Sequence, residues 1–143
     1  MQKTTVGWKE HVALPGLNLN LECKVDTGAK NSALHAFDVH SFRKKGKKWV
    51  RFSIHTNPDN LEEFVECEAE VIDTRPVTNS GGVAQKRYFI KTELHIGEDR
   101  FPVEMSLTRR DNMAFRMLLG RTALRKGNFL VDSSAEYLKG KPK

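Results

Sequence analysis

"LNLNLECKVDTGAKNSALHAFDV", residues 17–39, opens with strict alternation and breaks it at a carboxylate. Leu17, Leu19, Leu21, Cys23 and Val25 fall on one face, and Asn18, Asn20, Glu22, Lys24 and Asp26 on the other. That period of two predicts a strand with one buried side. Asp26 is followed at once by Thr27, Gly28 and Ala29: a hydroxyl, a residue that permits close backbone approach and a small side chain. Such a turn can surround a carboxylate with backbone N–H groups. The same residues also suit an Asx-type turn at a strand end, so the turn alone leaves acid–base chemistry and plain structure both open.

Working outward, the same period recurs. Val50, Phe52 and Ile54 alternate, then Val65, Cys67, Ala69 and Val71, then Tyr88, Ile90, Thr92, Leu94 and Ile96, then Phe101, Val103, Met105 and Leu107. "NPDN" (57–60), "TNSGG" (78–82) and "GEDR" (97–100) punctuate the runs as turns. This pattern predicts an all-β barrel or sandwich. Two segments read as helical. "NSALHAF" is expected to make one turn. "RDNMAFRMLLGRTALRKG" is expected to hold a short helix, with Asp111 or Asn112 as a cap, Gly127 as a stop, and Gly120 allowing a strand before a helix at Arg121. The tail "KGKPK" is expected to fray.

The 143 residues predict one domain, residues 1–143, long enough to bury a core without staples. Hydrophobic residues form 38% and charged residues 29%, and no apolar run reaches membrane-span length. "MQKTTVGWKEHV" lacks the apolar core of a signal peptide, which predicts a cytoplasmic location and no membrane partner. Cys23 and Cys67 lie on apolar phases and read as buried thiols rather than a disulfide. The net charge of +6 favours acidic partners. The densest basic run, "RKKGKK" (43–48), lies between Phe42 and Trp49 with Gly46 inside. It reads as a solvated hairpin loop, with nucleic-acid contact the lesser alternative.

Downstream, "MLLGRTAL" (117–124) carries Leu118-Leu119-Gly120-Arg121, and "TRPVTNSGGVAQKR" between the two signatures reads as a glycine-tipped hairpin. The order Asp-Thr-Gly-Ala, hairpin, Leu-Leu-Gly-Arg resembles the retropepsin-type aspartic proteases, whose flap occupies that hairpin. "GWKEHVALPGL", "KVDTGAKNSALHAF", "DTRPVTNSGG", "LTRRDNMAFRMLLGRTAL" and "FLVDSSAEYL" extend the likeness over nearly the whole chain. They resemble the family known as RimK-associated ATP-dependent zinc proteases. The resemblance implies a closed, retropepsin-like β barrel and a link to RimK-like ATP-grasp ligases, which add glutamates to protein tails. ATP and zinc find no motif here: the chain has neither a GxxxxGK[ST] loop nor HExxH, and no cofactor is expected. His35 stays open between a packed structural residue, a neighbour of the catalytic turn and a weak candidate metal ligand. His11, His40, His55 and His95 read as ordinary strand or loop residues.

The resemblance implies catalytic roles for Asp26, Thr27 and Gly28, with Thr27 bonding across a dimer axis. Ala29, Gly120 and Arg121 would support the loop, Arg121 as an ion-pair partner. A proton-sharing carboxylate pair needs two aspartates. Asp73, Asp111 and Asp132 lack the Thr-Gly context, so the second Asp26 must come from another copy, which predicts a homodimer. Lys30, Arg75, Ser80, Gly81 and Arg87 are the candidate substrate-binding residues, around the turn and the hairpin. Retropepsins place acidic residues just after the Ala, whereas Lys30 and Asn31 reverse that polarity and favour a glutamate-rich peptide. Three readings follow: an aspartic-type peptidase on acidic peptides, a non-catalytic binding module for acidic tails or a RimK-like ligase, and a zinc-dependent hydrolase.

Overall fold

Leu19, Leu21, Cys23 and Val25 are buried while Asn20 and Lys24 are exposed, so the alternation folds as predicted into β2 (Leu19–Val25). The computed structural model describes residues 3–56, 59–60, 62–78, 81–108 and 115–140. Before β2 lie β1 (Thr4–Leu14) and a single 3-10 turn at Pro15–Leu17. After it come β3 (Ser32–His35), β4 (Phe37–Lys44), β5 (Lys47–His55), β6 (Phe64–Thr78), β7 (Ala84–Ile96) and β8 (Asp99–Thr108). The chain then forms β9 (Met117–Leu119), the helix α1 (Arg121–Lys126) and β10 (Phe129–Glu136).

The fold is almost entirely β, with one short helix. Its strands form one sheet in the order β10-β1-β2-β9-β3-β8-β7-β6-β5-β4. Ala13 of β1 also pairs with His95 of β7. That pair returns the sheet on itself as a ring, β1-β2-β9-β3-β8-β7, and β6, β5 and β4 continue outward as an arm. Val12, Leu14, Leu34, Phe52, Ile90, Leu94, Met105 and Leu119 fill the core with almost no exposure. The basic run falls at the β4–β5 hairpin, where Lys45 and Gly46 take positive φ, as a solvated turn requires. Its cations are shared out: Lys44 faces Glu68 and Lys47 faces Glu70, on β6. These exposed pairs contribute little stability.

Two expectations are corrected. "NSALHAF" is strand, not a helical turn: β3 pairs parallel with β8 and antiparallel with β9, and all four of its residues are buried. A strand covered on both sides shows no alternation, and two ladders of hydrogen bonds outweigh local helix preference. The first residues of the tail expected to fray are tied down, while residues 141–143 lie outside the described residues. Lys139 donates its amide to Glu10, and Tyr137 donates its own to the Lys9 carbonyl. The strand-then-helix reading around Gly120 holds, whereas the proposed cap at Asp111 or Asn112 lies outside the described residues. Cys23 and Cys67 are free buried thiols, as their phase predicted. Among the described residues no helix is long and apolar enough to cross a membrane.

Candidate active site

β9 lies between β2 and β3, parallel to the first and antiparallel to the second. The chain from Asp26 to Asn31 therefore wraps the end of β9, where the strand passes into α1. The Asp26 amide donates to the Leu119 carbonyl at 2.9 Å, which extends the β2–β9 ladder to the carboxylate itself. The turn closes with the Ala29 amide on the Asp26 carbonyl at 3.2 Å. Gly28 donates its amide to Asp26 Oδ1 at 3.0 Å. This is the Asx-type bond, and it orients the carboxylate as well as the chain.

The start of α1 supports the loop. The Arg121 amide donates to the Ala29 carbonyl at 2.8 Å and the Thr122 amide to the Lys30 carbonyl at 3.1 Å. These are the unpaired N–H groups of a helix start, satisfied by the Asp26 loop. Thr122 Oγ1 also donates to the Lys30 carbonyl, at 2.9 Å. A Cβ on Gly120 would lie 2.6 Å from the Asn31 carbonyl, so only glycine fits there. Arg121 Nη1 donates to the Thr27 carbonyl at 3.1 Å. Its partner is thus a main-chain oxygen rather than the carboxylate expected, because the loop turns its carbonyls toward α1.

Opposite the loop stand the paired arms of β6 and β7. The space between is a cleft of about 790 Å³. Asp26, Gly28, Lys30 and Asn31 line one side, and Val77, Thr78, Gln85 and Arg87 the other. Ser106 and Thr108 of β8 form part of the wall. Asp26 is half-buried, and it is the only carboxylate among the described residues that lines the cleft.

The structure brings Asp26, Gly28, Ala29, Lys30 and Arg87 to this cleft, with Gly120 and Arg121 behind the loop. It does not bring Arg75 there. Arg75 binds Asp73 at 2.6 Å and Glu104 at 3.5 Å and lies over the Phe89 ring. The Arg75 bond, with a further bond from the Thr74 amide, holds the Asp73 carboxyl below its ordinary range. Gly81 is exposed near the hairpin tip and does not line the cleft. Ser80 lies outside the described residues, as do Arg109, Arg110 and Asp111. Asp132 is occupied by Ser134, which donates both its hydroxyl and its amide.

His35 is buried and stacks on His55 at 5.6 Å between ring centres, and His55 stacks on Phe37 at 4.2 Å. Arg116 donates to the His55 carbonyl and is half-buried, which holds its guanidinium pKa down through desolvation. Among the described residues no three His, Cys, Asp or Glu side chains converge as a metal set. The donor set does not fit the zinc that the family name implies, and no step below runs through a metal. Sequence reading missed Ser32, Thr122, Gln85, Ser106 and Thr108. Periodicity marks none of them, although Ser32 and Thr122 sit beside the two signatures.

A strand ending in Asp-Thr-Gly, a hairpin over it and a Gly-Arg helix start beneath it make a retropepsin-like arrangement. The chain belongs to the RimB-like family, described as retropepsin-like aspartic endopeptidase RimB, whose model matches residues 5–142. It is 38% identical over 140 residues to a probable alpha-L-glutamate ligase of Parasynechococcus marenigrum (strain WH8102), covering 97% of this chain and 30% of the relative. A Shewanella pealeana protein of the same name is 36% identical over 139 residues, with 96% and 30% covered. The chain thus spans about 30% of the length of these curated relatives. Among solved structures it is similar to Lpg0085 of Legionella pneumophila, a protein of unknown function. That likeness has a TM-score of 0.81 and 27% identity, and covers 96% of this chain and 99% of that one.

Proposed function

We propose that this chain is a cytoplasmic aspartic-type peptidase acting on glutamate-rich peptides or protein tails. The observation that carries the reading is Asp26: its carboxylate is oriented by the Gly28 amide, and among the described residues no second carboxylate lines its cleft. A homodimer with Asp26 near its axis supplies the pair. Two carboxylates so close share one proton, because like charges resist joint ionisation. The ionised one takes a proton from water as that water attacks the peptide carbonyl. The protonated one gives its proton to the carbonyl oxygen. Collapse of the tetrahedral species, with protonation of the nitrogen, breaks the C–N bond. Thr27 is assigned a bond across the axis, and Arg121 keeps the loop rigid through the Thr27 carbonyl. Lys30 and Arg87 are assigned the side-chain carboxylates of the substrate.

The test is mass spectrometry of glutamate-tailed peptides incubated with the protein from acid to neutral pH, beside sedimentation at the same concentrations. Cleavage is expected, with a loss of about 10²–10⁴-fold in Asp26→Asn. Equal cleavage by the variant overturns the reading, and activity in a strict monomer overturns the dimer.

A second reading is a non-catalytic module that binds acidic tails or a RimK-like ligase. It is favoured by one finding: the curated relatives named as probable alpha-L-glutamate ligases contain this region as about 30% of their length. A folded dimer that binds but does not cleave such peptides would establish it.

A further inference from the structure

β8 turns Val103, Met105 and Leu107 into the core, and its alternate residues face the other way. On that second face Pro102 and Glu104 are exposed, whereas Ser106 and Thr108 are only 3% and 5% exposed. Both of these buried residues line the cleft. Register sets their company. Ser106 pairs with Ala33 of β3, and Ala33 pairs with Leu118 of β9, so the three stand in one row that opens on the cleft. On its other side Ser106 pairs with Phe89 of β7. Arg87, two residues from Phe89, falls on the same face and lines the cleft as well.

Among the described residues no hydrogen bond joins either hydroxyl to the rest of the fold, and neither oxygen is sealed from the cleft. Ser32 makes the contrast: it is also buried, and its hydroxyl accepts the Gly120 amide. Dehydrating a hydroxyl without giving it a partner costs free energy, and Ala or Val would fill the same places without that cost. Two such groups, neighbours on one strand face and open to one cleft, point to a ligand that completes their bonds. The charges around them favour an anionic group. Glu104, next on the same face, is 3.5 Å from Arg75, which also binds Asp73. Asp26 is three strand spacings from β8, roughly 14 Å along the sheet. Lys30 and Arg87 are the cations of the cleft. A carboxylate accepts at both oxygens and donates nothing, so hydroxyl donors and a guanidinium suit it together.

We infer that Ser106 and Thr108 form the specificity subsite of the cleft, an inference that rests on the cleft being the peptide site proposed above. Their hydroxyls donate to a side-chain carboxylate of the bound peptide, with Arg87 on the adjoining strand. Ala33 and Leu118 pack against the methylene groups of that side chain. The subsite selects a glutamyl side chain over an apolar one of the same length.

The experiment is calorimetric titration of the full chain carrying Asp26→Asn, which keeps the peptides intact. The probes are a glutamate-tailed peptide and the same peptide with single glutamates replaced by glutamine or norvaline. The glutamate peptide should bind most tightly. Adding Ser106→Ala or Thr108→Val should weaken its binding by about tenfold, the loss of one hydrogen bond to a charged group. Binding of the peptide with norvaline at the sensitive position should be unchanged. Ser106→Thr, which keeps a hydroxyl, should retain the affinity. Urea stability should not fall in the Ala and Val variants, since the fold makes no bond to either hydroxyl. Full affinity for the glutamate peptide in both variants, equal losses for the glutamate and norvaline peptides, or lost stability in both variants would each overturn the inference and leave the peptidase reading standing. Hydroxyl-dependent binding with no cleavage by the parent protein would support the subsite and overturn the peptidase reading alone. No binding of any of these peptides would overturn the subsite, and cleavage by the parent then decides the peptidase reading separately.

Discussion

Ser32 Oγ accepts the amide hydrogen of Gly120 at 3.0 Å, tying the first residue of β3 to the residue that caps α1. Gly120 in turn presses against the Asn31 carbonyl. The two signatures, far apart in sequence, therefore meet through one buried hydroxyl. Ser32→Ala leaves the Gly120 amide buried and unpaired, and should lower stability by about 1–3 kcal/mol in urea titration. Gly120→Ala drives a Cβ into main-chain atoms that cannot turn aside, and should lower it by about 3 kcal/mol or more. A Gly120→Ala protein as stable as the parent would show that the loop does not rest on this contact.

The cleft's charge sets a second prediction. Lys30 is exposed in the cleft, on the loop that carries Asp26. On the proposed function, Lys30→Glu should reduce kcat/KM for a glutamate-rich peptide by about tenfold, mostly through KM. Added salt should weaken the parent more than the variant, since an exposed attraction is screened. An unchanged KM would remove Lys30 from substrate recognition.

Acid stability gives a third. The Asp73 carboxyl is held below its ordinary range by Arg75, and that of Asp132 by Ser134. A carboxyl depressed in the folded state binds fewer protons there than in the unfolded chain. Its stabilisation is complete above the unfolded pKa and is lost as pH falls through the folded one. Between neutrality and about pH 4 these two groups should leave stability flat. Below that it should fall, and Asp73→Asn with Asp132→Asn should shallow the fall. Denaturant midpoints measured from pH 2 to 6 check this, and an unchanged slope in the double variant would refute it.

Much of this architecture could be read from residues whose burial is one-sided. β2, β5, β7 and β8 announce themselves because one face meets the core and the other meets water. β3 did not, since all four of its side chains are buried and no alternation shows. Asp26, Gly120 and Arg121 were legible as signatures, but the partner of Arg121 was not, because a carbonyl leaves no mark in a sequence. Arg75 was misplaced despite an available signal. Asp73 lies two residues away on the same strand face, where an ion pair forms without help from the fold.

The thiols supply a fourth prediction. Burial pushes the Cys23 pKa up to about 12, and burial also raises that of Cys67. Folding therefore keeps both protonated where the unfolded chain would ionise. The stability they contribute is full below the ordinary thiol range and is lost as pH rises toward about 12 for Cys23. Neither should react with a thiol reagent at pH 8 in the native protein, and both should react in denaturant. Fast native labelling of Cys23 would mean that β1 and β2 separate readily.

Glu10 carries the last prediction. It is a fully buried carboxylate whose oxygens accept three amides: Gly7 at 2.6 Å, and Leu138 and Lys139 at 3.0 Å each. No lysine or arginine is bonded to it among the described residues, so main-chain dipoles alone offset its desolvation. Gln at this position keeps one acceptor oxygen and turns an N–H₂ toward backbone amides that need an acceptor. Glu10→Gln should cost about 1–3 kcal/mol, and the loss should be local before it is global. Hydrogen exchange should accelerate first at Leu138 and Lys139, whose amides lose their partner, while the Asp26 amide on Leu119 stays protected. Uniform acceleration across both would mean that the C-terminal turn and the Asp26 loop open as one unit.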